Sequence, residues 1–287
     1  MQAGWVAVVG SVNMDVVVPV QRLPAPGETV LGGDHAQLPG GKGANQAVRL
    51  ARLGRPVALI GRVGRDGFGV RLRQHLTSQG VDTRWLFDDD DAPTGLAAIV
   101  VASDGENQIA VSPGANAHLT PADVAAADLT EAAAVLCQLE VPVATIEQAA
   151  ALASGPFVLN PAPAQPLPQS LVRRVDVLVP NRSELQVLAG AESPPADLDE
   201  VAELARRLGV GSCVVTLGAD GALCVEGSTV THIPAVPVDV VDTTGAGDAF
   251  CAGLVDALVR GAEVVEAARA AVQVAAVAVT APGAQGG

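Results

Sequence analysis

The sequence predicts an α/β protein, a mostly parallel central sheet flanked by helices on both faces, with a second, small β-sheet laid over it as a lid. Short Val-, Ile- and Leu-rich runs alternate with stretches of helical periodicity along most of the chain. Two segments break that alternation with strand-like runs and no helix. Two glycine clusters also stand directly before helices, where a ligand can approach bare backbone.

The predicted core strands are residues 6–10, 57–63, 134–139, 157–160, 176–179 and 213–217. Helices are expected at 43–53, 67–79, 142–153, 197–208, 245–260 and 262–280, from the spacing of apolar positions and flanking Gly or Pro. The helix-free segments contain strand-like runs at 16–20, 29–31, 96–101 and 107–111, with a hairpin turn at Ser103-Asp104-Gly105-Glu106. We read them as one discontinuous lid, residues 13–38 and 94–111, on a core of residues 1–12, 39–93 and 112–287. A small sheet leaves edges that need covering, so a homodimer through the lid is expected.

With 287 residues, 49% of them apolar, the chain can bury a substantial core. Its 17 basic and 31 acidic residues give a net charge of −14, which repels phosphate backbones and anionic lipid, so neither nucleic acid nor membrane is an expected partner. An anionic small molecule would need local donors or a metal ion. Cys137, Cys213, Cys224 and Cys251 lie far apart in apolar runs and read as buried thiols of a reducing compartment. Met1 leads quickly into the strand-like VAVVG with no basic and apolar leader pattern, which points to the cytoplasm. The Ala/Val-rich run at 267–281 is interrupted by Arg269 and Gln273, as in a buried helix.

The strongest chemical signal is DTTGAGDAF, Asp242 to Phe250, between a Val-rich run and a long helix. Gly245, Ala246 and Gly247 would form an anion hole of backbone N–H groups at the positive end of the helix dipole. Asp248 would then stand beside a transferring phosphoryl group as a general base; the competing reading is that it merely caps the helix. A second cluster, PGGKGANQA, is neither a Walker A loop nor a dinucleotide fingerprint. Gly40 and Gly41 would let a sugar lie on backbone and Asn45 would bond its hydroxyls, while Lys42 is either a phosphate contact or a surface charge. In GSVNMD, Asn13 and Asp15 occupy alternate positions and project from one face, suited to vicinal hydroxyls, although such residues also form turns. A Rossmann oxidoreductase is excluded, because GSVNMD stands where the glycine fingerprint should follow the first strand.

Ten segments, GSVNMD, PGET, GGKGANQA, PGANA, QLE, NPAPA, PNRSE, TLGADG, DTTGAGD and GAQ, occur in the order of the ribokinase-like (PfkB) carbohydrate kinase family, which the chain closely resembles nearly end to end. The resemblance implies a ribokinase-like fold and transfer of the ATP γ-phosphoryl group to a primary sugar hydroxyl, with O5 of D-ribose favoured over 2-deoxyribose, a nucleoside or a ketohexose. It implies that Asn13, Asp15, Gly41, Lys42, Asn45 and Glu140 bind sugar together with Asp248. Asn181 and Glu184 match an N-x-x-E motif for hydrated Mg²⁺ and phosphates, and Thr216, Gly218, Ala219, Gly221 and Gly247 match the nucleotide site. A monovalent cation, usually K⁺, would be held by Asp242, Thr244 and carbonyls at Val279, Ala281 and Gly283. Val272 departs from the family, standing where relatives place a polar residue near the adenine. A binding protein that kept the fold and lost the chemistry is the alternative of another class, opposed by the intact Asp248 and anion-hole glycines.

Overall fold

The computed structural model describes residues 4–285. Along the chain, β1 (Val6–Val9) runs into β2 (Asn13–Val20) and β3 (Ala36–Gly40), followed by α1 (Lys42–Arg52), β4 (Val57–Gly64), α2 (Gly67–Ser78) and β5 (Leu86–Asp89). A hairpin of β6 (Gly95–Ala102) and β7 (Asn107–Ser112) precedes α3 (Pro121–Ala125), β8 (Ala134–Gln138), α4 (Val143–Leu152), β9 (Phe157–Asn160), α5 (Gln169–Val172) and β10 (Val177–Leu178). The remainder is α6 (Arg182–Ala189), α7 (Leu198–Leu208), β11 (Ser212–Thr216), the hairpin β12 (Ala222–Glu226) and β13 (Thr229–Ile233), then α8 (Ala246–Val259) and α9 (Val264–Ala278).

Nine strands form the large sheet in the order β13-β12-β11-β10-β9-β8-β1-β4-β5, parallel except for the β11-β12-β13 meander. Alternation explains the continuous apolar runs. In β1, Val6 and Val8 face a core shared with α1, α8 and α9, whereas Ala7 and Val9 face a second core with α4 and α7. Neither face has room for a polar position. The chain passes from β1 outward to β4 and β5, then returns to β8 on the other side of β1. That reversal opens a crevice at the carboxyl ends of β1 and β8, where open α/β sheets bind ligands.

The second sheet has four strands in the order β3-β2-β6-β7. It differs from expectation in one strand. Residues 29–31 form none: Pro24, Pro26, Gly27, Gly32 and Gly33 surround them, only an isolated bridge joins Val20 to Gly32, and Leu31 is 94% exposed. The third lid strand is instead β3, whose last residues, Pro39 and Gly40, look like loop in the sequence. Pro39 is tolerated because β3 is an edge strand. Among the described residues no helix is long and apolar enough to cross a membrane.

Candidate active site

Side chains at the carboxyl ends of successive strands converge on the crevice. Ser11 follows β1, Glu140 follows β8, Asn160 ends β9, Asn181 follows β10, and Thr216 ends β11. Helices α1 and α8 aim their N-termini at the same place.

The turn from β3 into α1 depends on its two glycines. A Cβ at Gly40 would run into the Asp15 carboxylate, and Gly41, at φ +88°, has the Asn13 amide nitrogen only 2.8 Å from where a Cβ would stand. The turn therefore packs against the Asp15 side chain at Gly40 and directly against the backbone of residues 11–13 at Gly41, with no room for a side chain at either position. Glu140 closes the turn, accepting from Lys42 N–H at 3.0 Å and from the Ser11 hydroxyl. On the lid side, Asn116 accepts from Val12 N–H at 2.9 Å and donates to Asn13 Oδ1 at 2.7 Å. The Asn13 amide is thus oriented with its Nδ2 donor left for a ligand.

Helix α8 begins at Gly245, φ +75°, and no side chain caps it. The first-turn N–H groups of Gly247 and Asp248 have no intrahelical acceptor and face the positive end of the dipole. Asp248 is not the cap. Its carboxylate, 7% exposed, accepts from Asn45 Nδ2 at 3.0 Å on Oδ2 and from Gln46 Nε2 at 2.9 Å on Oδ1. Burial raises the Asp248 pKa, opposed by the Lys42 charge and the two amides, with Glu140 adding to the rise. Burial works against charge on Lys42, yet Asp248, Glu140 and Glu184 around it leave its pKa raised, so it is an ammonium inside the site and not a surface charge. Asp15 is pushed up to about 6, by burial first and then by Glu140 and Asp248. Burial also raises Glu184, against the Asn181 N–H and Lys42.

Three cavities meet here. One of about 220 Å³ is walled by Lys42, Asn181, Glu184, Gly245, Gly247 and Asp248. Lys42 also lines a second, of about 460 Å³, with Asn13, Asn116, Glu140 and Val111 of the lid. Asn181, Thr216, Thr243, Ala246 and Gly247 connect the first to a third, apolar one of about 420 Å³, lined by Gly218, Ala219, Gly221, Phe250, Val272 and Val279. A largely apolar recess with Asn13, Lys42, Asn116 and Glu140 in its wall, a charged neck and an apolar slot therefore adjoin one another.

Asn181 and Glu184 form a capping box on α6: Asn181 Oδ1 accepts from Glu184 N–H at 2.8 Å and Glu184 Oε2 from Asn181 N–H at 2.9 Å. The N-x-x-E pattern has this structural duty, and the second Glu184 oxygen is left for the cavity. The Asp242 carboxylate accepts from Thr244 N–H and Gly283 N–H, both at 2.8 Å, stapling the loop before α8 to the end of the chain. The Val279 carbonyl accepts from Val241 and Asp242 N–H, so both its lone pairs are engaged within the protein. Sequence reading assigned no role to Gln46, Gln138, Asn160 or Asn116. All four sit inside the quoted GGKGANQA, QLE, NPAPA and PGANA segments, which was the available signal.

Fold and site together define a carbohydrate kinase. The chain belongs to the pfkB family: the model for pfkB family carbohydrate kinases matches residues 5–287. It is 39% identical to ribokinase of Bacillus subtilis, over 98% of this chain and 95% of that protein. It is 36% identical to deoxyribokinase of Salmonella typhi, over 98% and 94% respectively. Among solved structures, Arabidopsis thaliana ribokinase complexed with ribose and ATP matches with a TM-score of 0.90 at 34% identity, covering 99% of this chain and 95% of that one.

Proposed function

We propose that this chain phosphorylates D-ribose at O5 with ATP, giving D-ribose 5-phosphate and ADP, with Asp248 as the base. The observation that carries the reading is the buried Asp248 carboxylate, held by two side-chain amides at an uncapped helix N-terminus in the charged neck that joins the other two cavities. The ribose ring occupies the recess, with Asn13, Asp15, Gly41, Lys42, Asn45 and Glu140 around its hydroxyls. The adenine lies in the apolar slot over Gly218, Ala219, Gly221 and Val272, with Thr216 beside the phosphates. Asp248 takes the O5 proton as O5 attacks the γ-phosphorus. The bond to the β–γ bridging oxygen breaks, and ADP departs with that electron pair. Lys42 and the Gly245–Gly247 backbone stabilise the oxyanions of the transferring group.

The described residues contain no group of three or more His, Cys, Asp or Glu close enough to hold a metal ion. A hydrated Mg²⁺ would be carried mainly by nucleotide phosphates, with Asn181 and Glu184 reaching it through water. When bound, the ion neutralises charge on the β- and γ-phosphates. A K⁺ ion beside the anion hole would use Asp242, Thr244 and the Ala281 and Gly283 carbonyls, and the engaged Val279 carbonyl would fix loop geometry. The lid would pair with that of a second chain.

A coupled ADP-release assay over a sugar panel with Mg²⁺ and K⁺ tests the substrate, D-ribose being turned over with the highest kcat/KM. Preference for 2-deoxyribose would move the chain to the chemistry of its Salmonella relative. Asp248→Asn is nearly isosteric; it should keep both ligand affinities and lower kcat at least about a hundredfold. Turnover within a few-fold of the parent would remove Asp248 as the base.

A further inference from the structure

Behind Asp248 stand three amide side chains that sugar and nucleotide contacts leave unexplained. Gln46, beside Asn45 in α1, and Gln138, at the end of β8, are fully buried, and Asn160 at the end of β9 is nearly so. Gln46 Nε2 donates to Asp248 Oδ1 at 2.9 Å and to Asn160 Oδ1 at 3.1 Å. Asn160 Nδ2 donates to the Val179 carbonyl at 2.9 Å, and Gln138 Nε2 donates to Gln46 Oε1 at 2.5 Å.

The order of donors in this chain is forced. The Val179 carbonyl can only accept, so Asn160 must turn Nδ2 toward it and Oδ1 toward Gln46. Gln46 must then present Nε2 to Asp248 and Asn160, which turns its Oε1 to Gln138 Nε2, while Gln138 Oε1 is left buried without a hydrogen-bond partner. Rotating Gln46 by 180° would put oxygen against two acceptors and leave buried groups unpaired.

We propose that Gln46 is a positioning residue for phosphoryl transfer: oriented by Asn160 and backed by Gln138, it clamps Asp248 Oδ1 so that the carboxylate keeps one rotation and its proton-accepting form is favoured. The inference rests on Asp248 being the base. A buried carboxylate without donors takes up a proton, while one bound directly to Arg or Lys is held too acidic to accept one readily. Neutral amide donors lie between these limits. Asn45 donates to the other oxygen, but in the proposed reading Asn45 is shared with the sugar. Gln46 is fully buried and lines none of the three cavities. The charged and titratable groups around Asp248 are Lys42 and Arg49 on α1, Asp15 on β2, Glu140 after β8, Glu184 on α6 and Cys251 on α8. All of them remain when Gln46 is replaced.

The test is the pH dependence of kcat and KM for Gln46→Glu, Gln46→Leu and Gln138→Leu in the full chain, with thermal unfolding and ATP binding measured alongside. For Gln46→Glu, kcat falls about ten- to a hundredfold, the range for one hydrogen bond to a charged group. Its acidic limb moves up by about one pH unit or more, because two carboxyl groups now share the position. ATP affinity stays within a few-fold of the parent. Gln138→Leu shifts both quantities in the same direction by less, since it only frees Gln46 to rotate, and these two variants decide the matter if Gln46→Leu does not fold. A folded Gln46→Glu protein with parental kcat and acidic limb overturns the proposal. So does a lower kcat with the limb unmoved, which marks packing alone. Asp248→Asn in the same series separates the two readings: if it loses activity while the Gln46 variants do not, only Gln46 is removed, whereas an active Asp248→Asn removes the base itself.

Discussion

Asp248, Glu140 and Glu184 surround Lys42, and Asp15, which feels the charges of Glu140 and Asp248, carries the consequence for stability. Its pKa is raised from 3.8 to about 6 by burial and by its two acidic neighbours. The folded protein therefore binds a proton that the unfolded chain has released between about pH 4 and 6. In that window stability falls as pH rises, and the deficit persists at neutral pH. At about 1.4 kcal/mol per pH unit the raise amounts to at most about 3 kcal/mol, and less because Asp15 is partly exposed. Asp15→Asn should accordingly raise the unfolding temperature of the ligand-free protein at pH 7.5 but not at pH 4, while raising KM for ribose by roughly one to two powers of ten and sparing ATP. Scanning calorimetry at the two pH values checks the first half; an unchanged melting temperature at pH 7.5 would contradict it. For the parent, KM for ribose should climb as pH drops through 6. Asp15 and Asp248 drew attention in the sequence because each stands in a recognisable motif, and the structure packs the Asp15 carboxylate against Gly40 and holds Asp248 between Asn45 and Gln46. Gln46, Gln138, Asn160 and Asn116 did not, since an amide acquires its role only from partners far away in sequence.

Elements were read well where burial alone dictates them and poorly where an edge or a cap does. The buried core strands announce themselves as continuous apolar runs, whereas β3 is a half-exposed edge ending in Pro-Gly and β12–β13 form a short antiparallel meander. Helix α6 escaped prediction because its eight residues are too few for a periodic stripe, although the Asn181–Glu184 box marks its start. The loop before α8 belongs to this scale. Asp242 ties Thr244 N–H to Gly283 N–H, a Cβ at Gly245 would meet Ala284, and Arg49 Nη2 donates to the Ala284 carbonyl at 3.0 Å. The shape of the anion hole is thus coupled to the segment after α9. An ion bound there would rigidify the N–H groups of α8 without touching substrate. Exchanging K⁺ for a bulky organic cation should lower kcat several-fold, and Asp242→Ala should lower it further and abolish the difference between ions. Equal kcat in K⁺, Na⁺ and tetramethylammonium would leave Asp242 as a loop staple only.

At the scale of the whole molecule, the lid sheet leaves an apolar surface on the side that carries Asp15. Strand registers put Leu38, Asp15, Ala97 and Val111 in one row across the sheet, and Ala36, Val17, Ile99 and Ile109 in the next row on the same face. Ile109 is 57% exposed, Val111 53% and Leu38 46%, and every residue of β7 is exposed. The opposite face, with Met14 and Val16, is already packed on the core beside α2. A β-sheet whose outer apolar face and outer strand are both open is a template for association, and a net charge of −14 alone keeps copies apart only weakly at physiological salt. A second lid laid across this face would cover the apolar rows and close the open side of the recess that Val111 lines, so dimerisation and water exclusion from the sugar site would be one event. Light scattering at micromolar concentration should therefore give the mass of two chains. Ile109→Lys should give one, with KM for ribose raised more than KM for ATP, because the recess loses its cover and the apolar slot does not. A parent protein of single-chain mass, or an Ile109→Lys monomer with parental ribose KM, would show that the lid closes the site without a partner.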